Sequence, residues 1–268
     1  MTMRVAVVGS GIVGVTTAYE LAALGQEVTV FERRGSVAAE ASFANAGVVA
    51  PGYLTPWATP GMPWQVLRRL FGRDAPLRLG TGAWAQAPWL WRWWRACRPQ
   101  AHAAHRDALH RLGQFSRERL LELTRSLRLD YDQMPGFLML LRTPRDLALA
   151  QSGLALLRDL GVPHDVVDAA RCRLIEPGLN PDTALHAAIH LPQDGVGNCR
   201  HFAHLLKAEA QRLGAHFRFG ADVRAMTPGP APQLSTADGQ SHGFDAVVVC
   251  AGVQANALLA SIGLRLPL

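Results

Sequence analysis

Lysine is all but missing from this chain. Lys207 is the only one, and every other basic residue is an arginine. The skew says more about coding composition than about a ligand. Acids are fewer than basic residues, 21 against 27, and the resulting formal charge of +6 is spread along the sequence. Such an excess can favour anionic surfaces. No zinc finger, RNP pattern or basic helix accompanies it, so nucleic acid is not an expected partner. Cysteine is sparse too. Cys97, Cys172, Cys199 and Cys250 lie far apart with no CxxC among them. A disulfide framework is therefore not expected, and the four read as reduced, mostly buried thiols of a cytoplasmic protein. No apolar run approaches the roughly 18 uninterrupted residues of a membrane span. The first residues carry no basic stretch before an apolar core, so export is not expected either. His102, His105 and His110 have no acids or cysteines arranged with them, which leaves surface histidines and no metal site.

What is present begins at the first residues. Residues 3–9 read MRVAVVG, a short apolar run with β-branched residues, as in a buried strand. Gly9-Ser10-Gly11-Ile12-Val13-Gly14 follows at once, then small and apolar residues at helical spacing over 15–24. A second apolar strand over 28–31 ends on Glu32. Strand, glycine turn, helix, strand and terminal acid fall in the register of an adenine-dinucleotide site. Gly9 allows the tight turn, Gly11 lets a diphosphate approach the backbone, and Gly14 lets the helix sit close on the sheet. The free N–H groups of the first helical turn face the diphosphate. Glu32 can accept both ribose hydroxyls of an adenosine and would repel a 2′-phosphate.

Downstream, residues 38–43 are expected as a short helix. Residues 44–52, ANAGVVAPG, form a loop of small residues that lets something flat approach its backbone. Residues 51–99 hold all seven tryptophans and seven arginines against one acid, Asp74. Helices are expected there over 64–71 and 88–98. Interleaved Trp and Arg suits a membrane interface, and a lid packed on the protein's own core is the alternative. A long helix is expected over 101–127, with Leu109, Leu112, Phe115, Leu120 and Leu123 near one face. A loop is expected over 192–199, and a buried strand over 244–250, followed by Ala251-Gly252. The two ends keep a βαβ rhythm and the middle does not. The expected fold is therefore α/β, a Rossmann-type nucleotide-binding domain interrupted by an α+β domain. Its segments are 1–50, 51–195 and 196–268, with the middle one holding the helical insert and the partial substrate domain.

These residues carry a resemblance. The run VAVVGSGIVGVTTAYELAALGQEVTVFER, Ser42-Phe43-Ala44-Asn45-Ala46-Gly47 leading to Pro51-Gly52-Tyr53, Glu176-Pro177, LPQDGVGNCRHF at 191–202 and VVVCAG at 247–252 resemble the flavin-dependent family of D-amino acid, glycine and sarcosine oxidases. Within it they resemble the D-amino acid dehydrogenases. The resemblance covers essentially the whole chain and implies FAD as cofactor. By position it implies that Gly9, Gly11, Ile12, Val13 and Gly14 form the diphosphate turn, and that Glu32 and Arg33 lie at the adenosine ribose. Ser42, Asn45, Ala46 and Gly47 would lie beside the ribityl chain and flavin. Val223 would offer a backbone contact to adenine, and Ala251 and Gly252 a second close approach.

The implied activity is oxidative deamination of D-amino acids to 2-oxo acids and ammonia by hydride transfer to FAD. Electrons then pass to a membrane acceptor linked to quinone, with residues 84–98 meeting the inner face of the cell membrane. An oxygen-using oxidase of glycine, sarcosine or a D-amino acid is the alternative, and a non-catalytic nucleotide-binding fragment is another. An NAD enzyme would leave the segment 41–47 unexplained. The family continues well past residue 268. The missing part is expected to hold its last flavin loop and the arginine for the substrate carboxylate, so no catalytic side chain is assigned. This chain alone is expected to express poorly, associate or bind flavin weakly, and to show no steady turnover of D-alanine even with added FAD. Where the family has Gly-Asp-Cys, this chain has Gly197-Asn198-Cys199, one negative charge fewer.

Overall fold

The computed structural model of the chain describes residues 1–69 and 87–266. Trp84, and the last two residues of the helix expected over 64–71, lie outside the described residues. In chain order the described strands are β1 (Arg4–Val8), β2 (Glu27–Glu32), β3 (Val48–Val49), β4 (Met134–Leu141), β5 (Asp165–Asp168), β6 (Ala187–Val196), β7 (His216–Phe219), β8 (Val223–Thr227), β9 (Gln233–Thr236), β10 (Ser241–Gly243) and β11 (Ala246–Val249). The helices are α1 (Ile12–Ala23), α2 (Met62–Arg69), α3 (Ala87–Ala96), α4 (Pro99–Ser126), α5 (Pro144–Asp159), α6 (Ala169–Ile175), α7 (Cys199–Arg212) and α8 (Ala255–Leu259). Contacts divide the chain into two units. The first comprises Met1–Val48, Leu123–Met134 and Gly197–Leu268, and the second Val49–Glu122 and Pro135–Val196.

The first unit is built on a parallel sheet of order β11-β1-β2-β7. Val5 to Val8 pair with Ala246 to Val249 on one side and with Val28 to Phe31 on the other. A parallel strand covered on both faces reads as an unbroken apolar run. Accordingly Val5, Ala6, Val7 and Val8 are all buried. Helix α1 buries Gly14, Val15, Ala18, Tyr19 and Ala22, and α7 buries Phe202, Ala203, Leu206 and Ala210, both at helical spacing. The two helices pack on each other, and their small residues allow close contact. A second, antiparallel sheet of order β10-β9-β8 closes a core made of Ala6, Val8, Phe31, Leu234, Phe244 and Leu258.

The second unit holds a sheet of order β3-β6-β4, with β5 antiparallel to β6. Helix α5 lies over it. Leu154 and Leu157 join Leu141, Val162, Ala187, Ile189 and Leu191 in one core. The start of α5 is fixed by a capping box: Thr143 Oγ1 accepts from Asp146 N, and Asp146 Oδ2 accepts from Thr143 N. Hydrogen bonding from the Thr143 side chain and backbone N–H holds the Asp146 carboxyl below its usual range.

Three sequence expectations need correction. Residues 38–43 form turns rather than a helix. Ala38 has φ +51°, outside the helical range, and its N–H is committed to Ser10 O at 2.9 Å. Six residues are also too few to nucleate a helix without outside contacts. Residues 192–199 are not one loop, because β6 runs through Pro192 to Val196. Strand β5 pairs with β6 only as far as His190, so a proline further along costs that ladder nothing. On α4, Leu123 is buried, but Leu112 and Phe115 are 61% and 65% exposed. At helical spacing Phe115 stands roughly 120° around the axis from Leu109, too far to share its face.

Candidate functional site

The glycine turn leaves the C-terminal end of β1, where open α/β sheets bind ligands. Its three glycines have different causes. Gly9 has φ +100°, and a Cβ there would stand 2.5 Å from Cys250 O, on the segment leaving β11. A Cβ on Gly14 would lie 1.9 Å from Gly9 O. These two are demanded by the chain itself. Gly11 is not. Its φ of −63° and ψ of 179° suit any residue, and a Cβ would meet only Ser42 Oγ, at 3.4 Å. The space over Gly11 is open, and Val13 beside it is 62% exposed. The protein's own packing thus does not account for a glycine at this position.

Glu32, at the end of β2, turns back onto this loop. Its Oε2 accepts from both Ser10 N and Ser10 Oγ at 2.8 Å, and its Oε1 accepts from Arg34 N at 2.8 Å. Ser10 is fully buried. A carboxylate has about four acceptor sites, so three bonds leave capacity for a ribose hydroxyl. Ser10 was not singled out from the sequence. Its only signal there is a polar residue between two glycines of the turn. Arg33, which the family resemblance places at the ribose end, pairs with Glu40, as does Arg34 Nε at 2.8 Å. The two guanidinium groups hold the Glu40 carboxyl below its usual range.

The segment after residue 40 folds over the start of α1. Ser42 Oγ accepts from Ile12 N at 3.0 Å, satisfying an N–H that Gly11, the N-cap, has no side chain to reach. This frees the Ser42 hydroxyl proton for an outside acceptor. Phe43 is half exposed under the Arg200 guanidinium, 4.2 Å from its ring centroid, and Ala44 to Ala46 are exposed. Asn45 Oδ1 accepts from Gly47 N at 3.0 Å, closing a local turn. Gly47 takes φ +65°, and its carbonyl accepts from Gly197 N at 2.8 Å. A Cβ at Gly47 would stand 2.6 Å from Gly197 O, and one at Gly197 would stand 2.6 Å from the Tyr131 ring. The close approach at Gly47 is therefore to the protein's own backbone.

The same contact brings the 41–47 and 191–202 motifs together. Asn198 N donates to Tyr131 O at 2.8 Å. Asn198 Oδ1 caps α7 through His201 N at 3.0 Å, and its Nδ2 donates to Asp132 Oδ2 at 3.1 Å. Asp would cap the helix equally well. With Asp132 already beside it, the neutral Asn avoids a pair of facing carboxylates. Tyr131 and Asp132 had no distinguishing pattern in the sequence, whereas Gly197 belongs to the 191–202 motif.

Ala221 N donates to Glu32 O at 2.9 Å, which ties the start of β8 to the end of β2. Val223 follows and packs, partly buried, on the core around Phe31. Cys250 N donates to Val8 O at 2.8 Å and sets Ala251 and Gly252 beside the glycine turn. Thus Gly9 to Gly14, Glu32, Ser42, Ala251 and Gly252 cluster at one end of the parallel sheet. Asn45 to Gly47 join them through the contact with Gly197. Burial pushes the nearby thiols of Cys199 and Cys250 up, away from thiolate. Among the described residues, no group of three His, Cys, Asp or Glu could hold a metal ion.

The sequence profile of a family described as "FAD dependent oxidoreductase" matches residues 4–268. A D-amino acid dehydrogenase of Cereibacter sphaeroides is 40% identical over 273 aligned residues, covering 99% of this chain and 62% of that protein. A D-amino acid dehydrogenase of Rhizorhabdus wittichii is 38% identical over 270, covering 99% of this chain and 65% of that protein. The chain thus spans under two thirds of the length of these curated relatives. In fold it is similar to the glycine oxidase of Geobacillus kaustophilus, with a TM-score of 0.71, 23% identity, and 99% of this chain and 60% of that one covered. It is also similar to the L-proline dehydrogenase of P. horikoshii, with a TM-score of 0.61, 20% identity, and 98% and 56% covered.

Proposed function

We propose, for a chain that belongs to the FAD dependent oxidoreductase family, that the protein oxidises D-amino acids to 2-oxo acids and ammonia and passes the electrons to an acceptor in a membrane. FAD is the cofactor. The observation that carries the reading is Gly11, whose missing side chain serves nothing within the protein. The residues present fit a dinucleotide. The backbone at Gly11, Val13 and Gly14 takes the diphosphate, Ser42 Oγ donates to it, and Glu32 accepts from the ribose. Exposed Ala46, with Gly47 turned by φ +65°, leaves room for a flat ring system. The backbone at Val223 and at Ala251 and Gly252 completes the cradle. When bound, FAD supplies a two-electron acceptor for the hydrogen lost from Cα. The chain's task is to hold and orient. The imino acid that results hydrolyses in water, giving the 2-oxo acid and ammonia. The names of the curated relatives support the choice of D-amino acids.

Protein at the full length of the curated relatives with FAD bound, given D-alanine and an artificial dye without oxygen, should reduce the dye and form pyruvate. In air it should yield little hydrogen peroxide. Peroxide formed one-for-one with pyruvate would replace this reading with an oxygen-using oxidase.

The membrane clause rests on α3. None of its residues is buried, and Trp89, Trp91 and Trp94 are exposed beside Arg92, Arg95 and Arg98 with no acid between them. Among the described residues, no helix is long and apolar enough to cross a membrane. Contact therefore means lying on the surface, where each basic residue adds about 1 kcal/mol on an anionic bilayer. The same preparation should float with anionic vesicles and be released by salt. Recovery in the unbound fraction at low salt removes the clause.

Glu32→Ala should act in two ways. It removes the acceptor offered to the ribose, and it releases Ser10 N and Oγ, loosening the turn. One hydrogen bond to a charged group is worth about 1.5–3 kcal/mol, or roughly tenfold to a hundredfold in FAD affinity. Flavin fluorescence titration measures it. An unchanged affinity would remove Glu32 from the site.

A further inference from the structure

A cavity of ≈320 Å³ opens in the second unit between α4, the turn after α5, and β6. It has no part in the cofactor reading, since its lining residues all lie outside the unit that carries the glycine turn. Two of those residues hold polar atoms that nothing among the described residues satisfies. Asp194, on β6, is 3% exposed. Its Oδ1 accepts one long bond, 3.3 Å, from Gly52 N, and its buried Oδ2 has no partner. Arg117, on α4, reaches Gln193 Oε1 with a terminal N–H at 3.4 Å, while its buried Nε–H has no partner. Buried polar groups are nearly always paired. Here the residue with an unmet acceptor and the residue with an unmet donor line the same space.

Gly52 is shaped to this arrangement. A Cβ there would stand 3.0 Å from Asp194 Oδ2, 2.8 Å from Val162 and 2.9 Å from Leu191. Leu160, Val162 and Leu191 give the cavity an apolar side.

We infer that this cavity binds a small zwitterion, a free α-amino acid, with its ammonium on Asp194 and its carboxylate on Arg117. A lone anion would satisfy Arg117 and leave Asp194 unmet, and a lone cation would do the reverse. A zwitterion satisfies both, and the apolar wall takes a short aliphatic side chain. Burial pushes the Asp194 carboxyl up and the Arg117 charge partly offsets this. An ammonium in contact restores the ionised form. Neither pairing distinguishes the hand of the amino acid, so both enantiomers fit.

The test uses the whole chain, with and without FAD, and alanine as the probe. Calorimetric titration should show D-alanine and L-alanine binding with or without FAD. Propionate and ethylamine, each lacking one charged group, should bind at least tenfold more weakly. Asp194→Asn and Arg117→Gln should each weaken alanine at least tenfold while flavin fluorescence titration stays as in wild type. If one variant fails to fold, the other carries the comparison. Alanine binding no tighter than propionate, or unaffected by either substitution, overturns the site and leaves a cavity filled by water. Binding that requires FAD, or accepts only one enantiomer, also overturns it and points to the flavin face. Loss of FAD binding in wild type counts against the proposed function and leaves the cavity result readable.

Discussion

Gly11→Val gives a folded protein that purifies without flavin. The backbone at Gly11 lies in the extended region, where a β-branched residue is at ease. Its Cβ meets only Ser42 Oγ, at an ordinary 3.4 Å. Loss of a glycine N-cap without a side-chain bond should cost stability under about 1 kcal/mol. The new methyls occupy the open space over the first turn of α1, where the diphosphate must touch the backbone. Crowding of this kind costs about 1–3 kcal/mol even where neighbours can yield. A rigid diphosphate yields less, so affinity should fall by a hundredfold or more. Absorbance in the flavin bands, fluorescence titration and a thermal melt decide it. A full flavin load with a normal melt would sink the diphosphate assignment.

Gly14→Ala, one methyl at a position three residues on, is expected to do the opposite damage. Its Cβ would sit 1.9 Å from Gly9 O, an overlap no rotamer relieves. Gly9 cannot retreat. Its N–H is held by Phe31 O at 2.8 Å, and Cys250 O crowds its other side. The helix must therefore lift from the sheet, pulling α1 from α7 and opening the buried surface at Val15 and Ala18. A loss of about 3 kcal/mol or more follows, a large share of a typical total stability of about 5–15 kcal/mol. The melting temperature should drop by roughly 6–12 °C or the protein should fail to accumulate. FAD binding then fails because its platform is lost. A Gly14→Ala protein with a wild-type melt would mean that helix and turn are not packed as described.

The contrast shows what the sequence alone could convey. The succession β1, turn, α1, β2 was legible because apolar runs, glycine spacing and helical periodicity are local signals. Each of the three glycines had its own job in the motif, and the positions of Cys250 O, Gly9 O and Ser42 Oγ supply what no pattern could, the contacts a Cβ would make at each. Glu32 was legible as the acid ending β2. Its grip on Ser10 was not, because a side chain bending back on the preceding turn leaves no pattern. The same holds for Asn198 and Asp132, 66 positions apart, and for the unmet atoms of Asp194 and Arg117. Errors arose where a local signal was real but overruled. Ala38 is a good helix former that tertiary contacts force to positive φ, and Pro192 marks a break only where a ladder needs its N–H.

The pairing of β1 with β11 bears on the order in which the molecule is made. Arg4 N bonds Asp245 Oδ2 at 2.7 Å across 241 positions of chain. The glycine turn is translated well before its wall at Cys250 and Ala251. At about 5–20 residues per second on the ribosome, the turn waits roughly 10–50 s for its partner strand. During that time the apolar edge of β1 is uncovered, and folding cannot be nucleated from local contacts alone. Chaperone occupancy on the nascent chain should therefore rise soon after β1 and β2 emerge and fall once β11 is out. The cofactor can load only after that point.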